Sequence, residues 1–581
     1  MFYVSVVAGA YSVPSEAKAL FENGILKNPL IEKDLPAGAL EAARHISFEG
    51  SDSPSLPINW RFAESISSLK AYEATVLSAL LQRKYGVGPV DIKINTDHAQ
   101  LFIMSSLIWV LDPGGANLSP AIWHKPESRA AIEKHFPNWD KNDGLGGGPY
   151  KGATTNIYKT KDGKFFHTHN SMNPSIAIKF LELPTDVDHP TLEDAMPAVM
   201  AAVAARTADE LQTLSDTHKE AGTICWTTDE YKASEHGRAN AHVGLFEIEK
   251  HTSDTDKEQP PTWWPSTPLT SPARPLAGLK VVDLTRVIAG PAISRGLAEL
   301  GASVMRIVAP HLPDLSALHP DLSHGKWNAC LDLRKRVDRE KLRALVLEAD
   351  VFVQGYRPGV LDKYGFGEKD VIALGRERGR GIIYCAENSY GWHGPWQGRS
   401  GWQQISDANC GVSYEFGRAM GNDEPVTPVF PNSDYCTGIA GVIGIMTALL
   451  RRAEEGGSYS VKLSLNYYSQ WLVNSCGVYP PDVWAELVRT SNLQFRHYHP
   501  MQYTLPKTIQ AIHKTSAAKL FKPSFFAQYK VKVLGDVMMR IVAPVLQFPG
   551  GEVKPGYHIG VRTNGVDQPR WPDDLGVEVV E

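Results

Sequence analysis

In this 581-residue chain the side chain with most scope for covalent or acid–base chemistry is Asp434, in the stretch Pro431-Asn-Ser-Asp434-Tyr-Cys-Thr-Gly438. A carboxylate can attack an activated carbonyl or exchange protons. By spacing alone Asp434, like Ser433 before it, is equally an N-cap for the helix that follows. A second feature is Gly144-Leu-Gly-Gly-Gly148. Its backbone N–H groups can approach a ligand closely, and read alone it is a flexible turn. The six cysteines (225, 330, 385, 410, 436 and 476) form no C-x-x-C and no His/Cys cluster. Neither zinc nor a disulfide framework is expected, and a reducing compartment fits.

The elements that must position Asp434 can be read outward from it. An uncharged run from Tyr435 to Leu450 ends in Arg451-Arg452, cations at the negative end of a helix dipole. Gly438, Gly441 and Gly444 recur every third residue, so one face of this helix is bare backbone open to close packing. The run falls short of the roughly 18–20 residues that span a bilayer, so a buried core helix is expected. Upstream, Leu279–Leu284, Ser303–Val308, Asp350–Gln354 and Gly381–Cys385 read as short buried strands. Pro291 is expected at a helix N1 position and Gly301 at that helix's end. Strands alternating with helices imply a Rossmann-like parallel sheet whose ligand sits at the strands' carboxyl ends. No G-x-G-x-x-G follows the first strand, which argues against a dinucleotide.

The first half is less regular. Residues 1–60 read as an N-terminal extension, with an apolar Met1–Ala10 that lacks the charged start of a signal peptide. A helix over Phe62–Lys84 precedes a strand over Val90–Ile94. Ala79-Leu-Leu-Gln-Arg-Lys and Asp91-Ile-Lys-Ile94 echo Ala448-Leu-Leu-Arg-Arg-Ala and Ser460-Val-Lys-Leu463 without a gap. That constant spacing suggests a duplicated unit and carries Asp434 onto Ser65. Asp162-Gly163 suits a type I′ hairpin, and Thr207-Ala-Asp-Glu210 is a capping box opening a helix that stops at Gly222. The Pro/Ser/Thr-rich stretch around 251–274 reads as a linker. The expected layout is therefore a degenerate first copy over 61–250, that linker, a Rossmann-like domain over 275–475 and a C-terminal return segment over 476–581. Hydrophobic content of 43%, charge of 21% and a net charge of −5 without basic runs argue against nucleic-acid or membrane-surface partners. A cytoplasmic location is expected, or a mitochondrial one.

From Pro275 onward the chain resembles the family III CoA-transferases, the group that also holds 2-methylacyl-CoA racemases and carnitine CoA-transferases. The landmarks run in order: Pro275-Leu-Ala-Gly-Leu-Lys-Val-Val-Asp-Leu-Thr-Arg286, Ala289-Gly-Pro291, Cys330-Leu-Asp-Leu333, Tyr356-Arg-Pro-Gly359 and Tyr390-Gly-Trp-His-Gly-Pro395, then the helix of Asp434. The resemblance implies a Rossmann-like large domain plus a smaller α+β domain. It also implies coenzyme A or acyl-CoA as substrate, a carboxylic acid as acceptor, and no permanently bound cofactor. Asp434 is then the nucleophile that forms a mixed anhydride and an aspartyl-CoA thioester. Gly146, Gly147 and Gly148 cover the anhydride, and Val287, Ile288, Ala289, Arg334, Tyr356, Arg357 and Lys363 contact CoA. Because the family forms interlocked dimers, the doubled chain is expected to be an intrachain pseudo-dimer, or a homodimer of it, with one site per chain. Departures from the pattern are Val308-Ala309-Pro310 for Glu-Arg-Pro and Lys326-Trp-Asn328 for the Lys-Arg-Ser of the next loop. Gly401-Trp402-Gln403 stands for the racemases' Gly-His-Asp, although His393 lies nearby. Two other readings stay open: a racemase or epimerase, and a non-catalytic CoA-binding or scaffold protein.

Overall fold

The computed structural model describes residues 11–122, 125–137, 148–185, 187, 189–252 and 259–581. In the first half a short strand β1 (Ile46–Glu49) precedes helix α1 (Phe62–Tyr85), which closes on Gly86 at φ +68°. Strand β2 (Ile92–Asn95) follows and pairs with β1 in parallel. A small antiparallel sheet comes next: β3 (Asn156–Lys159), β4 (Phe165–Thr168) and β5 (Gly222–Ile224). Its hairpin turns at Asp162-Gly163, where only Gly163 takes positive φ. The turn is thus type I with a left-handed glycine after it, in place of the expected I′. The capping box at Thr207 and Glu210 forms, and its helix ends at His218 because Lys219 turns left-handed at φ +54°. Gly222 therefore opens β5 and does not end the helix.

The large sheet begins earlier in the chain than expected. Strand β6 (Glu247–His251) precedes β7 (Lys280–Leu284), helix α2 (Ala289–Glu299), β8 (Ser303–Val308), β9 (Lys326–Cys330), β10 (Val351–Gln354) and β11 (Ile383–Asn388). Then come helix α3 (Gln403–Asn409), helix α4 (Asn432–Glu455), β12 (Ser458–Ser464) and helix α5 (Leu465–Trp471). Seven strands lie in the order β9-β8-β7-β10-β11-β12-β6. All neighbours are parallel except the edge pair β12 and β6. A boundary at residue 250 would cut β6, so the linker begins only after a strand that belongs to this sheet. Lys326-Trp-Asn328, expected in a loop, lies inside β9. There Lys326 is fully buried and donates to Asp283 at 3.2 Å. The segment after residue 475 returns to both halves. Met539 and Arg540 pair with Leu111 and Val110 of the first half, while Trp571 packs edge-on against Trp327 of the large sheet.

One continuous core joins α1, α2 and α4. Helix α4 is long and apolar enough to cross a membrane, but nearly all of that stretch is buried inside the fold. Its glycines explain the packing. A Cβ on Gly438 would fall 2.6 Å from Cβ of Ala292, one on Gly441 2.6 Å from Ile293, and one on Gly444 2.7 Å from Val461 of β12. The glycine face thus lies against α2 and the sheet. Replacing Gly438 by alanine is expected to overpack this contact and lower unfolding stability by about 1–3 kcal/mol, read from denaturant midpoints.

Candidate active site

A cavity of about 490 Å³ opens at the carboxyl ends of the parallel strands, beside the point between β7 and β10 where strand order reverses. Open α/β sheets place ligands there. The loop after β7 supplies Val287, Ile288 and Ala289, and the loop after β10 supplies Tyr356, Arg357 and Lys363. The end of β11 supplies Glu387 and Ser389, and the head of α4 supplies Asp434. Val287 sits at φ +69°, a region a β-branched residue enters only at a cost of about 1–3 kcal/mol. That strained turn brings the chain from the strand into α2, whose first residue is Ala289; Pro291 is therefore the third helical residue and not the first.

Asp434 is not a cap. Pro431 occupies the N-cap position and no side chain caps the helix, so Asp434 lies in the first turn of α4. Its side chain is nine-tenths buried, and none of the described residues hydrogen-bonds its carboxylate. Burial pushes its pKa well above the usual carboxylate range, and the charges of Glu387 and then Asp407 push it further. The positive end of the α4 dipole acts in the opposite sense. Glu387 is itself raised to about 7 by burial. Asp407 on α3 is raised to about 8, again by burial, against a hydrogen bond donated by Gln403. Two carboxyl groups with raised pKa values therefore line the cavity, and a third, Asp407, acts on Asp434 from outside the lining.

The cationic side of the cavity carries Arg286, Arg357, Arg399 and Lys363. Arg286 lies 5.2 Å over the Tyr356 ring, and burial lowers the pKa of Arg357. Arg399 pairs with Asp216 at 2.9 Å, which ties the cavity wall to the domain built on β3–β5. The same domain presses His169 onto Trp402 with ring centroids 5.6 Å apart, and the Trp402 indole N–H donates to Ser171 at 3.2 Å. A buried network braces the head of α4 from behind. Asp321 accepts from the Tyr435 hydroxyl at 2.8 Å, Ser105 at 2.8 Å and Arg295 at 2.7 Å.

The structure thus brings Val287, Ile288, Ala289, Tyr356, Arg357, Lys363 and Asp434 together. It does not bring Arg334 into the cavity. That guanidinium is more than half exposed and grips Asp332 through two bonds of 2.8 Å, while the neighbouring Leu333 lines the wall. Gly146 and Gly147 lie outside the described residues, and Gly148 is an exposed residue at φ +82° opening a short helix. Ser65 is fully buried and bonded to Phe62 O at 3.0 Å and the Tyr468 hydroxyl at 2.9 Å. His393 turns away from the cavity to Glu247 at 2.8 Å, where His242 joins them in a group able to hold a metal ion; a second such group is Glu249, His251 and Glu368. Sequence reasoning missed Glu387, Arg286 and Arg399. A charged residue closing the apolar strand Ile383-Tyr-Cys-Ala was the one available signal for Glu387.

Residues 276–502 match the family described as CoA-transferase family III. The chain is 48% identical over 574 residues to the acetyl-coenzyme A transferase nodX of Hypoxylon pulicicidum, covering 98% of this chain and 95% of that one. It is 30% identical to an acyl-CoA transferase of Gibberella moniliformis, covering 95% of each. Among solved structures, a CAIB/BAIF family protein from Brucella suis matches 39% of this chain and 60% of its own at 28% identity and a TM-score of 0.31.

Linkage gives a test of the acidic cluster. Glu387 and Asp407 bind protons more tightly folded, at about 7 and 8, than a free carboxyl does at about 4. Their contribution is complete below about pH 4 and is lost as pH rises through the folded values. The ligand-free protein is therefore expected to lose stability from pH 5 to pH 8.5, with Asp407→Asn flattening that slope in denaturant titrations.

Proposed function

The chain belongs to the CoA-transferase family III, and from that premise we propose that it moves coenzyme A between an acyl-CoA donor and a carboxylic acid acceptor through a covalent intermediate on Asp434. The observation that carries this reading is a desolvated carboxylate without a hydrogen-bond partner among the described residues, lining a cavity that also bears guanidinium groups suited to phosphates. Acetyl-CoA is the first donor to try, since the 48% identical relative is named an acetyl-coenzyme A transferase.

In this mechanism an Asp434 oxygen attacks the thioester carbonyl and the C–S bond breaks, leaving a mixed anhydride and the CoA thiolate. The thiolate attacks the Asp434 carbonyl and expels the donor's carboxylate, giving an aspartyl-CoA thioester. An acceptor carboxylate attacks the same carbon, expels the thiolate and forms a second anhydride. The thiolate then takes the acceptor's acyl carbon and frees Asp434. Covalent catalysis divides one difficult exchange into easier ones. The strained loop at Val287, the Arg286–Tyr356 stack and Arg357 hold the nucleotide end. Trp402 and Leu465 keep water from the anhydride. A racemase needs a second acid/base group on the opposite face of the α-carbon, and the two side chains weighed for that role are an indole and a histidine engaged by Glu247.

The same reading makes the chain a pseudo-dimer with one productive site. Helix α1 and β2 repeat α4 and β12 in order, and α1 packs on α4 in a common core. Ser65, at the nucleophile's counterpart, is bonded inside that core. Titration calorimetry is expected to give one CoA per chain, and two per chain would refute the single site. Incubation with acyl-CoA, trapping with hydroxylamine or borohydride and peptide mass analysis should mark the peptide containing Asp434. Asp434→Ala should lower kcat about a thousandfold or more while CoA still binds; label on another peptide would refute the assignment.

A further inference from the structure

Glu387 and Ser389 stand at alternate positions where β11 ends, so their side chains leave the strand on one face, and both line the cavity. Among the described residues nothing hydrogen-bonds the buried Ser389 hydroxyl or the Glu387 carboxyl. A buried hydroxyl left unpaired in a native fold calls for a ligand or water, and Glu387 beside it is half-buried at the cavity wall. Two glycines give these side chains room beside the cavity. A Cβ on Gly355 would lie 3.3 Å from Glu387 Oε2, and one on Gly401 would lie 2.3 Å from Ser389 Oγ. Side chains there would crowd both groups.

We propose that neutral Glu387 and the Ser389 hydroxyl form the subsite that holds the acceptor's carboxylate beside Asp434. The inference rests on the reading of Asp434 as the covalent carrier. An attacking oxygen must lie roughly 3–3.5 Å from the acyl carbon on that residue. The charges acting on Asp434 are Glu387 and Asp407. Asp407 is engaged by Gln403, so Glu387 decides whether an anion is admitted. Ionised, it repels the acceptor; protonated, its O–H donates a charge-assisted hydrogen bond to the acceptor's oxygen, with Ser389 as second donor. The acceptor's other oxygen attacks the Asp434 carbonyl carbon, the C–S bond breaks and the thiolate leaves. Glu387 keeps its proton throughout.

Burial holds Glu387 protonated to about pH 7. The other charged or titratable groups around it are Asp434 on α4, Asp407 on α3, and Arg286, Arg357, Arg399, Lys363 and His311 on the surrounding loops.

Exchange of labelled acetate into acetyl-CoA reads the acceptor step, with propionate, butyrate and hexanoate and their CoA thioesters as further pairs. For the fastest pair, the wild-type acceptor KM is expected to rise about tenfold between pH 6 and pH 8.5. Glu387→Gln, which donates but cannot ionise, should give a KM within about threefold of the low-pH wild type and flat with pH. Glu387→Leu should raise it tenfold or more at every pH, with acyl-CoA labelling of Asp434 persisting in both variants. A Gln variant that keeps the alkaline rise, or a Leu variant with wild-type KM, overturns the subsite while leaving the Asp434 assignment standing. Absence of both exchange and Asp434 labelling with every pair overturns the shared premise.

Discussion

The close approach of α4 to α2 and the sheet is the constraint on which the cavity depends. Backbone can come this near only where side chains are missing, and Gly438, Gly441 and Gly444 supply that bare face. The head of α4 is then fixed from behind by Asp321, which gathers a tyrosine, a serine and an arginine onto one buried carboxylate. Buried ion pairs cost desolvation, and here all three donors converge on one oxygen of Asp321, Oδ2, to offset it. Tyr435 is held in that network, while its neighbour Asp434, on a different helix face, lines the cavity and has no hydrogen bond among the described residues. Rigidity on one side of the helix leaves a reactive group free on the other.

The cavity is electrostatically divided. The loops after β7 and β10 bring guanidinium groups, whereas the end of β11 and the head of α4 bring carboxyls, with Asp407 of α3 acting on them from outside the lining. A substrate with an anionic nucleotide at one end and an uncharged thioester at the other matches that division. The domain on β3–β5 closes the wall through Arg399–Asp216 and the His169–Trp402 stack. Residues before the linker therefore shape the site as directly as those after it.

Much of the large sheet was legible because its strands are short apolar runs bounded by turns, and the hairpin at Gly163 because few residues accept its φ. The edge strand β6 was not. Glu247-Ile-Glu-Lys-His251 alternates weakly, and it becomes a strand only through β12, far along the chain. The N-cap was misread because Ser433 and Asp434 both suit the role, yet Pro431 begins the turn and frees Asp434 for the cavity. Arg334 was placed by motif position alone, and Asp332 two residues earlier claims its guanidinium. Glu387 escaped because nothing local distinguishes a functional acid from a solvated one; only the assembled sheet shows it lining the cavity with no hydrogen bond from the described residues.

Strand β6 also bears on how the chain is made. It leaves the ribosome long before β12, the strand it pairs with, and during that interval its hydrogen-bonding edges are open to any exposed strand nearby. Lone strands of this kind recruit wrong partners, and charged side chains are a common safeguard. Four of its five residues are Glu, Glu, Lys and His. In the finished sheet β6 lies at the rim, so the same charges that protect the nascent segment go on discouraging sheet-to-sheet association between folded molecules.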